Sequence, residues 1–406
     1  MRKGWGKPSP ISVRKEIGVN LLMTAGELIK LIPDETFREL AIETNVDSHV
    51  KKLSGEVIFK LILFSMLNSE KLSLRVMERY LQSAKFKNFS RYDILDGKYN
   101  SIRDRICTIN ADYFEGLFKK IFVIYNKELK EENALSKADS TFVGLAAKLF
   151  AGGMENGGVD HKRFVKYSVS LKGSLPSSIK VFTENSHASD EPSLAELISD
   201  DDHIDKSVVV FDRGLQSRVT FDKFSSENKF FITRSKQLYI ACEVESNNDI
   251  PVKPADSTVT INSDQICYLK KHNRSKTKHL YRIIKGTMDA NDQEIIFLSN
   301  ILDEDAYTIA KWYKQRWEIE VFFKFIKQHL NVKHLVSRDN NGIKVMIYMT
   351  LILATLIIAY KKINKLKGFK IPKLQFEIEL ENEIIKTIVV LCGGDPDRAR
   401  HLFSSA

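Results

Sequence analysis

The apolar run Val-Val-Val-Phe at residues 208–211 constrains the fold of this chain more strongly than any other segment. A short, continuous run that is rich in β-branched residues predicts a strand buried on both faces of a sheet. Helical patterns lie on either side of it, at Ser193 to Ile198 and at Ser217 to Phe224. Together these segments predict an α/β fold, in which strands and helices alternate along the chain.

Further strand-like segments extend this pattern over residues 131–234, which we assign to the first part of an α/β core. They lie at Leu135 to Val143, Arg163 to Leu171, Ile179 to Thr183 and Lys229 to Thr233. Residues 235–302 contain only short β-like pieces and predict a β-rich insertion. Two helical patterns follow, at about Asp303 to Leu330 and Gly342 to Ile363, so residues 303–365 are expected to complete the core.

Both ends of the chain are predicted to be helical. Residues 1–130 carry apolar positions at helical spacing, at 53–67 and 101–129, and residues 366–406 form a helical tail. Basic residues are interleaved with the helices of the first region: Lys51, Lys52, Arg75, Arg79, Lys85, Lys87, Arg91, Arg103 and Arg105. An all-helical basic region is typical either of a DNA-binding domain or of ordinary solvated helix faces, and both interpretations stay open.

The composition excludes several classes of protein. Apolar residues make up 43% and charged residues 28%, which excludes wholesale disorder, and the four cysteines form no CxxC motif. Lys and Arg exceed Asp and Glu, 62 against 52, and the net charge of +10 favours an anionic partner such as nucleic acid. No apolar leader is visible, and the apolar run from Val345 to Tyr360 predicts a buried helix. We therefore expect a cytoplasmic protein with no membrane partner.

The predicted helix from Asp303 to Leu330 carries a line of polar residues beside its apolar stripe. At 3.6 residues per turn, Tyr313, Arg316, Glu320 and Lys327 fall within an arc of about 60°. The line follows the edge of the buried stripe rather than the solvated face. A carboxylate between two cations in such a position forms either a structural ladder of ion pairs or a functional site.

Two aspartates are placed where α/β sheets hold their ligands. Asp139 lies within a predicted strand, and Asp212 directly follows the buried run at 208–211. Open α/β sheets bind ligands at the carboxyl ends of their strands. The alternative, a helix-capping or turn aspartate, remains open for each residue taken alone. Gly214, two residues after Asp212, is expected to permit a tight turn.

These positions together resemble the DDE transposases of bacterial insertion sequences. The resemblance lies in Asp-Ser-Thr at Asp139, in Asp-Arg-Gly at Asp212, and in the Tyr-Arg-Glu-Lys run from Tyr313 to Lys327. The spacing of the last motif marks the branch called insertion-sequence family four, and it is matched without a gap. A second Asp-Ser-Thr, at Asp256, lies within the predicted insertion. The resemblance covers about residues 130–363 and implies an RNase H-like catalytic core.

The resemblance implies a metal-dependent site. Asp139, Asp212 and Glu320 would hold two Mg²⁺ ions, for which Mn²⁺ can substitute, because small hard cations prefer carboxylate oxygens. Two such ions activate a water or a 3′-hydroxyl and stabilise the leaving oxygen during cleavage and strand transfer. The partners implied are double-stranded DNA, in the form of the inverted-repeat ends and the target. Because two ends must be joined, the resemblance also implies a homodimer on DNA and a place at the nucleoid.

Several other residues are predicted to contact DNA. The resemblance gives this role to Tyr313, Arg316 and Lys327, beside the scissile phosphate. Arg213 and Arg234 are further candidates, and each has the alternative of a surface or capping arginine. The densest basic stretch of the chain, residues 270–285, adds Lys270, Lys271, Arg274, Lys276 and Lys278, with a functionless exposed hairpin as its alternative. Relatives release flanking DNA through hairpin ends with a flipped base. Candidate residues to hold that base are Trp312, Trp317, Tyr239, Tyr268 and Tyr281.

Three functions therefore compete. The first is an active transposase that cuts and joins the ends of its own element. The second is a catalytically silent DNA-binding or regulatory protein derived from a transposon, against which the intact Asp139, Asp212 and Glu320 argue. The third is a nuclease that cuts without strand transfer.

Overall fold

The computed structural model describes residues 23–92, 97–131, 135–145, 154–155, 163–201, 207–235, 240–247, 250–272, 274–330, 336–337 and 339–399. The chain divides into two compact units. One comprises Met1–Glu131 and Phe325–Ala406, and the other comprises Glu132–Lys324. We call them the helical unit and the mixed unit.

In the described residues before Glu131, the helical unit contains these helices: α1 (Ala25–Ile29), α2 (Asp34–Glu43), α3 (Gly55–Asn68), α4 (Leu74–Gln82), α5 (Ala84–Ser90), α6 (Tyr99–Thr108) and α7 (Ala111–Leu129). Short polar side chains start most of them. The hydroxyls of Ser54, Ser73 and Ser83 each accept an N–H from the first turn, and Thr24 forms a capping box with Glu27. The predicted helical character is therefore present in the described part of this region, and α6 and α7 are the two pieces of the pattern over 101–129.

Two long helices complete the helical unit, α12 (Asn340–Ile363) and α13 (Lys370–Leu391). Asp339 caps α12 by accepting the N–H groups of Asn341 and Gly342. Almost every side chain from Gly342 to Tyr360 is buried, and α12 packs against α7. Of the helices that the structure describes, α12 is the one long and apolar enough to cross a membrane, but it is mostly buried within the protein. It is longer than the apolar run from which it was predicted.

The mixed unit is built on ten strands: β1 (Leu135–Leu145), β2 (Met154–Glu155), β3 (Arg163–Lys172), β4 (Leu175–Phe182), β5 (Val208–Phe211), β6 (Phe230–Ser235), β7 (Ile240–Asn247), β8 (Val259–Leu269), β9 (Tyr281–Met288) and β10 (Glu294–Ser299). Its helices are α8 (Asp190–Asp200), α9 (Arg218–Ser226), α10 (Ala306–Lys314) and α11 (Trp317–His329), which ends beyond the unit boundary. The fold is thus mixed α/β, as the alternation of segments predicts.

All ten strands belong to one sheet, in the order β2-β3-β1-β5-β6-β10-β9-β8-β7, with β4 also paired to β3. Its centre is parallel, because β5 pairs in parallel with both β1 and β6. The flanks are antiparallel, through β3 and β4 on one side and β10 to β7 on the other. The segment predicted as a β-rich insertion therefore extends the same sheet, and its strand β10 directly adjoins β6.

Two apolar layers cover the two faces of this sheet. On one face Ala138, Val209 and Phe211 pack with side chains of α8 and α9. On the other face Leu135, Val210 and Ile232 pack with side chains of α10. Since successive side chains alternate between the faces, β5 is buried on both, as its apolar run predicts.

The helix predicted from Asp303 to Leu330 is interrupted. α10 ends at Lys314 and α11 starts at Trp317. Between them the backbone makes tighter i→i+3 hydrogen bonds, from the N–H of Arg316 to the carbonyl of Tyr313 and from the N–H of Ile319 to the carbonyl of Arg316. The prediction of one continuous helix is wrong. The regular wheel that placed Tyr313, Arg316 and Glu320 in one narrow arc consequently does not apply across this turn.

Candidate active site

Asp139 and Asp212 lie side by side at one edge of the sheet. The parallel strands β1 and β5 pair with Ala138 opposite Phe211, so the two aspartates are the next residues on neighbouring strands. Asp212 directly follows the end of β5, whereas β1 continues past Asp139. The arrangement places two carboxylates together at a position where α/β sheets bind ligands.

Asp139 is a largely buried carboxyl group. Burial raises its pKa to about 7, and the negative charges of Asp212 and Asp190 act in the same direction. The N–H of Ser140, which donates to Asp139 Oδ1 at 2.7 Å, and the nearby Arg316 oppose the shift. A cation that binds between two neighbouring carboxyl groups stabilises their ionised forms.

The turn after β5 fixes Asp212. Its Oδ1 accepts the N–H of Gly214 at 2.7 Å, and its carbonyl accepts the Thr233 hydroxyl at 2.9 Å. A β-carbon on Gly214 would lie 2.7 Å from the β-carbon of Asp190 and 2.9 Å from Asp212 Oδ1. Glycine is therefore required here for close approach.

Glu320 lies in the first turn of α11, where it is paired with Arg316. Arg316 Nη2 lies 2.6 Å from Glu320 Oε1, and the side chain of Arg316 is mostly buried. The buried Nε of Arg316 has no hydrogen-bond partner among the described residues. Asp139 also acts electrostatically on Arg316 and helps to raise its pKa. The guanidinium is thus ion-paired with Glu320 and lies within electrostatic range of Asp139.

The other residues predicted beside the acids have unequal access to solvent. Tyr313 is only 7% exposed, its ring packs on Phe297 at 5.4 Å, and burial raises its pKa. The positive charges of Arg316 and Arg234 oppose that rise, so both lie near its hydroxyl. Arg213 is exposed. Lys327 lies in the last turn of α11, beyond the end of the mixed unit.

The donor chemistry of these acids fits Mg²⁺ better than their present geometry does. Carboxylate oxygens are the ligands that this hard cation prefers, and Asp139 and Asp212 are adjacent. Among the described residues, however, no group of three or more His, Cys, Asp or Glu side chains is close enough to hold a metal ion. The carboxylate of Glu320 is instead paired with Arg316.

The loop between β8 and β9, residues 270–280, carries most of the predicted basic stretch, and we call it the basic loop. Lys270, Arg274, Lys276 and Lys278 are exposed there. Lys271 is not, because its ammonium pairs with the buried Asp222 at 2.7 Å. Burial alone would raise the pKa of Asp222. Its pKa is nevertheless below the ordinary value, because its carboxylate accepts hydrogen bonds from Lys271, from the N–H groups of Lys278 and His279 and from Tyr281. Asp222 therefore anchors the base of the loop.

The aromatic candidates for a base-holding residue are also placed differently by the structure. Tyr281 is fully buried, and its hydroxyl donates to Asp222. Trp312 packs against the apolar layer under α10, whereas Trp317 is 61% exposed. Tyr268 is half-buried, with the ammonium of Lys276 4.5 Å from its ring centroid. Tyr239 lies outside the described residues.

Sequence reasoning missed a further acid at this edge. Asp190, at the start of α8, pairs at 2.7 Å with Lys166, whose side chain is fully buried in β3. Hydroxyls beside this pair hold α8 on the sheet, since Ser140 Oγ lies 2.6 Å from Ser168 Oγ and 3.3 Å from Ser193 Oγ. The sequence does contain a signal, a lysine and two serines alternating along β3, but that pattern predicts a solvated face.

Comparisons with known proteins agree with the motifs. Residues 167–356 match the family model described as "Transposase DDE domain". The matched range includes Asp212 and Glu320 and begins after Asp139. The predicted resemblance to DDE transposases of insertion sequences is thereby confirmed.

Three relatives carry similar descriptions. The "Probable transposase for insertion sequence element IS5377" of Geobacillus stearothermophilus is 31% identical over 34% of this chain. The "Putative transposase for insertion sequence element IS4SA" of Synechocystis is 27% identical over 62% of the chain, and the "Putative transposase y4zB" of Sinorhizobium fredii is 25% identical over 41%. The matches span 35%, 70% and 45% of the lengths of these relatives.

Proposed function

We propose that this chain is a DNA transposase that cleaves the ends of an insertion sequence and joins them to a target. The observation that carries the proposal is that Asp139, within β1, lies beside Asp212, which directly follows the neighbouring parallel strand β5, with Glu320 in the first turn of α11. The match to the transposase DDE domain and the three relatives support the same reaction class.

We further propose that the core is RNase H-like. Three antiparallel strands, β4, β3 and β1, are followed by two strands parallel to β1, and this order supports the assignment. In this arrangement residues 131–234 and 303–365 form the catalytic core, residues 235–302 the insertion, and residues 366–406 the helical tail. Residues 1–130 would recognise the DNA ends.

Asp139, Asp212 and Glu320 would hold two Mg²⁺ ions, or Mn²⁺ in their place. When bound, such ions activate the attacking oxygen and stabilise the leaving oxygen of a phosphodiester. Burial, with the negative charge of Asp212 acting in the same direction, raises the pKa of Asp139, and a cation bound beside it would favour its ionised form. Arg316 is the cation that these acids share in the structure, so it competes with a metal for Glu320 until phosphate draws the guanidinium away.

Contacts to DNA would be divided between two surfaces. Arg316, Arg213 and Arg234 lie in the unit that carries the acids, where guanidinium groups can grip phosphates. Tyr313 is nearly buried, so it would act by supporting Arg316. Lys327 is assigned to DNA contact only because of its spacing after Glu320. The basic loop, with Lys270, Arg274, Lys276 and Lys278, would follow the DNA backbone, and the exposed Trp317 would hold an unpaired base.

The function is tested by cleavage of DNA that carries the element's own ends, taken from the sequence flanking the gene. Double-strand breaks at those ends that require Mg²⁺, with hairpin or joined products, would establish cut-and-paste transposition. The band shift of a complex with one protein at each of two ends would establish the homodimer. Binding without cleavage in Mg²⁺ and Mn²⁺ would instead favour the silent regulatory protein, and nicked or linear products without joining would favour a nuclease.

Replacing Lys270, Arg274, Lys276 and Lys278 together with alanine is expected to weaken DNA binding and to flatten its salt dependence. Each lost phosphate contact lowers the slope of log affinity against log salt by about 0.9, so the full loss is roughly 3 to 4. Fluorescence anisotropy across a salt series measures it. The matched control exchanges each Lys for Arg and Arg274 for Lys, which keeps the charge and should keep the slope. An unchanged slope in the alanine variant would remove the loop from the interface.

A further inference from the structure

Lys137 is a lysine in the interior of the mixed unit. Its side chain is 3% exposed, and it precedes Asp139 by two residues on β1, so both side chains leave the same face of the sheet. Its ammonium donates to the carbonyl of Gly173 at 2.6 Å and to Glu318 Oε2 at 2.9 Å. Burial of an unpaired ammonium costs free energy, so these two contacts fix the position of the Lys137 side chain.

Glu318 joins this lysine to the helix that carries Glu320. It lies in the first turn of α11, two residues before Glu320, and its own side chain is 53% exposed. Its N–H donates to the carbonyl of Gln315, within the tight turn that separates α11 from α10. The ion pair therefore links the strand of Asp139 to the start of the helix at the point where the helix is not braced by regular α-helical hydrogen bonds.

Within the mixed unit, apolar contacts also seat α11. Ile319 is fully buried, and the ring of Phe323 packs edge-on against Tyr167 of β3 at 6.0 Å. Apolar packing is not directional, so it tolerates small shifts along the helix axis. The hydrogen-bonded ion pair is directional and sets the first turn.

We infer that Lys137 is a positioning residue: through Glu318 it fixes the first turn of α11 and hence the distance between Glu320 and Asp139. It would touch neither DNA nor metal. The inference rests on the proposed function, since it concerns the assembly of the three acids around divalent cations. Residues that orient metal ligands from behind typically change metal affinity about 10- to 100-fold when they are replaced.

Stability and metal binding should respond differently to changes in this pair. In Lys137→Met the remaining Glu318 can turn to water, so the unfolding temperature should change little. In Glu318→Ala the ammonium is left buried with one neutral acceptor, so the unfolding temperature should fall clearly. The double variant Lys137→Met/Glu318→Ala removes the stranded charge and should recover most of that fall. All three variants lack the link, so all three should bind metal about 10- to 100-fold more weakly.

The experiment measures the unfolding temperature of the full chain across series of MgCl₂ and MnCl₂, which gives an apparent metal Kd for each variant. Glu320→Gln shows how the unfolding temperature responds to metal when the third acid is absent. Lys180→Met, which removes an exposed lysine paired with Asp200 at 2.6 Å in the same unit, is the control and should respond like the wild type. A weakened Kd in Lys137→Met and in the stable double variant would support the inference.

Two other outcomes separate the inference from the function on which it rests. If the wild type responds to metal, Glu320→Gln responds more weakly, and Lys137→Met keeps the wild-type Kd, the positioning role is overturned and the metal site stands. If the wild type shows no response to either metal, the metal site itself is overturned, and the positioning role with it.

Discussion

We expect the Glu320→Gln variant to bind DNA as the wild type does and to cleave it at least about 1,000-fold more slowly. Glutamine keeps the size of the side chain and loses the charge that would hold a divalent cation. A loss of about 4 kcal/mol of transition-state stabilisation, a modest share for a metal ion, corresponds to this factor. DNA binding should persist, because the change removes no positive charge and releases Arg316 from its ion pair.

Single-turnover cleavage in Mg²⁺ and binding by fluorescence anisotropy measure the two effects on one preparation. The control is Glu294→Gln, which makes the same chemical change at an exposed position at the start of β10. It should cleave and bind like the wild type. Wild-type cleavage by Glu320→Gln would show that the third acid of the site is another residue.

The second large effect is on stability, and it concerns the buried pair of Asp264 and Arg282. Arg282 donates from Nε at 2.9 Å and from Nη2 at 2.6 Å to the two carboxylate oxygens of Asp264, and from Nη1 to the carbonyls of Leu302 and Glu304. Asp264 is 3% exposed and Arg282 is 6% exposed. Asp264→Asn leaves the guanidinium buried without a counter-charge and should lower the free energy of unfolding by about 3–5 kcal/mol.

Urea denaturation followed by circular dichroism measures this loss. In the control, Asp289→Asn, the same change is made in the more exposed pair of Asp289 with Lys253, and the free energy of unfolding should change little. The double variant Asp264→Leu/Arg282→Met removes both charges and should recover much of the stability. Equal losses of unfolding free energy in Asp264→Asn and Asp289→Asn would show that the buried pair stabilises the protein no more than the exposed pair does.

This pair also shows which part of the basic stretch could be interpreted from sequence. A count of seven Lys and Arg residues over 270–285 predicts one basic surface. The structure uses two of them internally, Lys271 on Asp222 and Arg282 on Asp264. Their acidic partners lie outside the stretch, at other places in the chain, so no local pattern distinguishes them from their exposed neighbours.

Local sequence patterns predicted the helices and strands better than the turns between them. The run at 208–211 and the helix beginning near Gly342 are both present, because burial on all sides leaves a continuous apolar signal. The interruption at Gln315 and Arg316 has no such signal, since neither residue breaks a helix by propensity. Within the segment predicted to contain only short β-like pieces, β8 is a single strand from Val259 to Leu269, whose central residues are polar.

The sequence predicted which residues form the site but not the contacts that their side chains make. From sequence, Asp139 could be placed within a strand and Asp212 directly after one. The pairing of Glu320 with Arg316 depends on rotamers, and the burial of Lys166 depends on α8 covering a polar face of β3. Such tertiary contacts override the period-2 pattern that would assign Lys166 to solvent.

The position of β10 beside β6 has a consequence for synthesis of the chain. β6 ends at Ser235, and its partner β10 begins at Glu294, roughly sixty residues later. At a translation rate of about 5–20 residues per second, the edge of β6 stays unpaired for roughly 3–12 s after it leaves the ribosome. An unpaired apolar edge is a template for pairing with other chains. A ribosome that stalls between these strands would therefore release a fragment in which β6 has an unpaired edge, whereas a fragment that ends after β10 contains the partner of that edge.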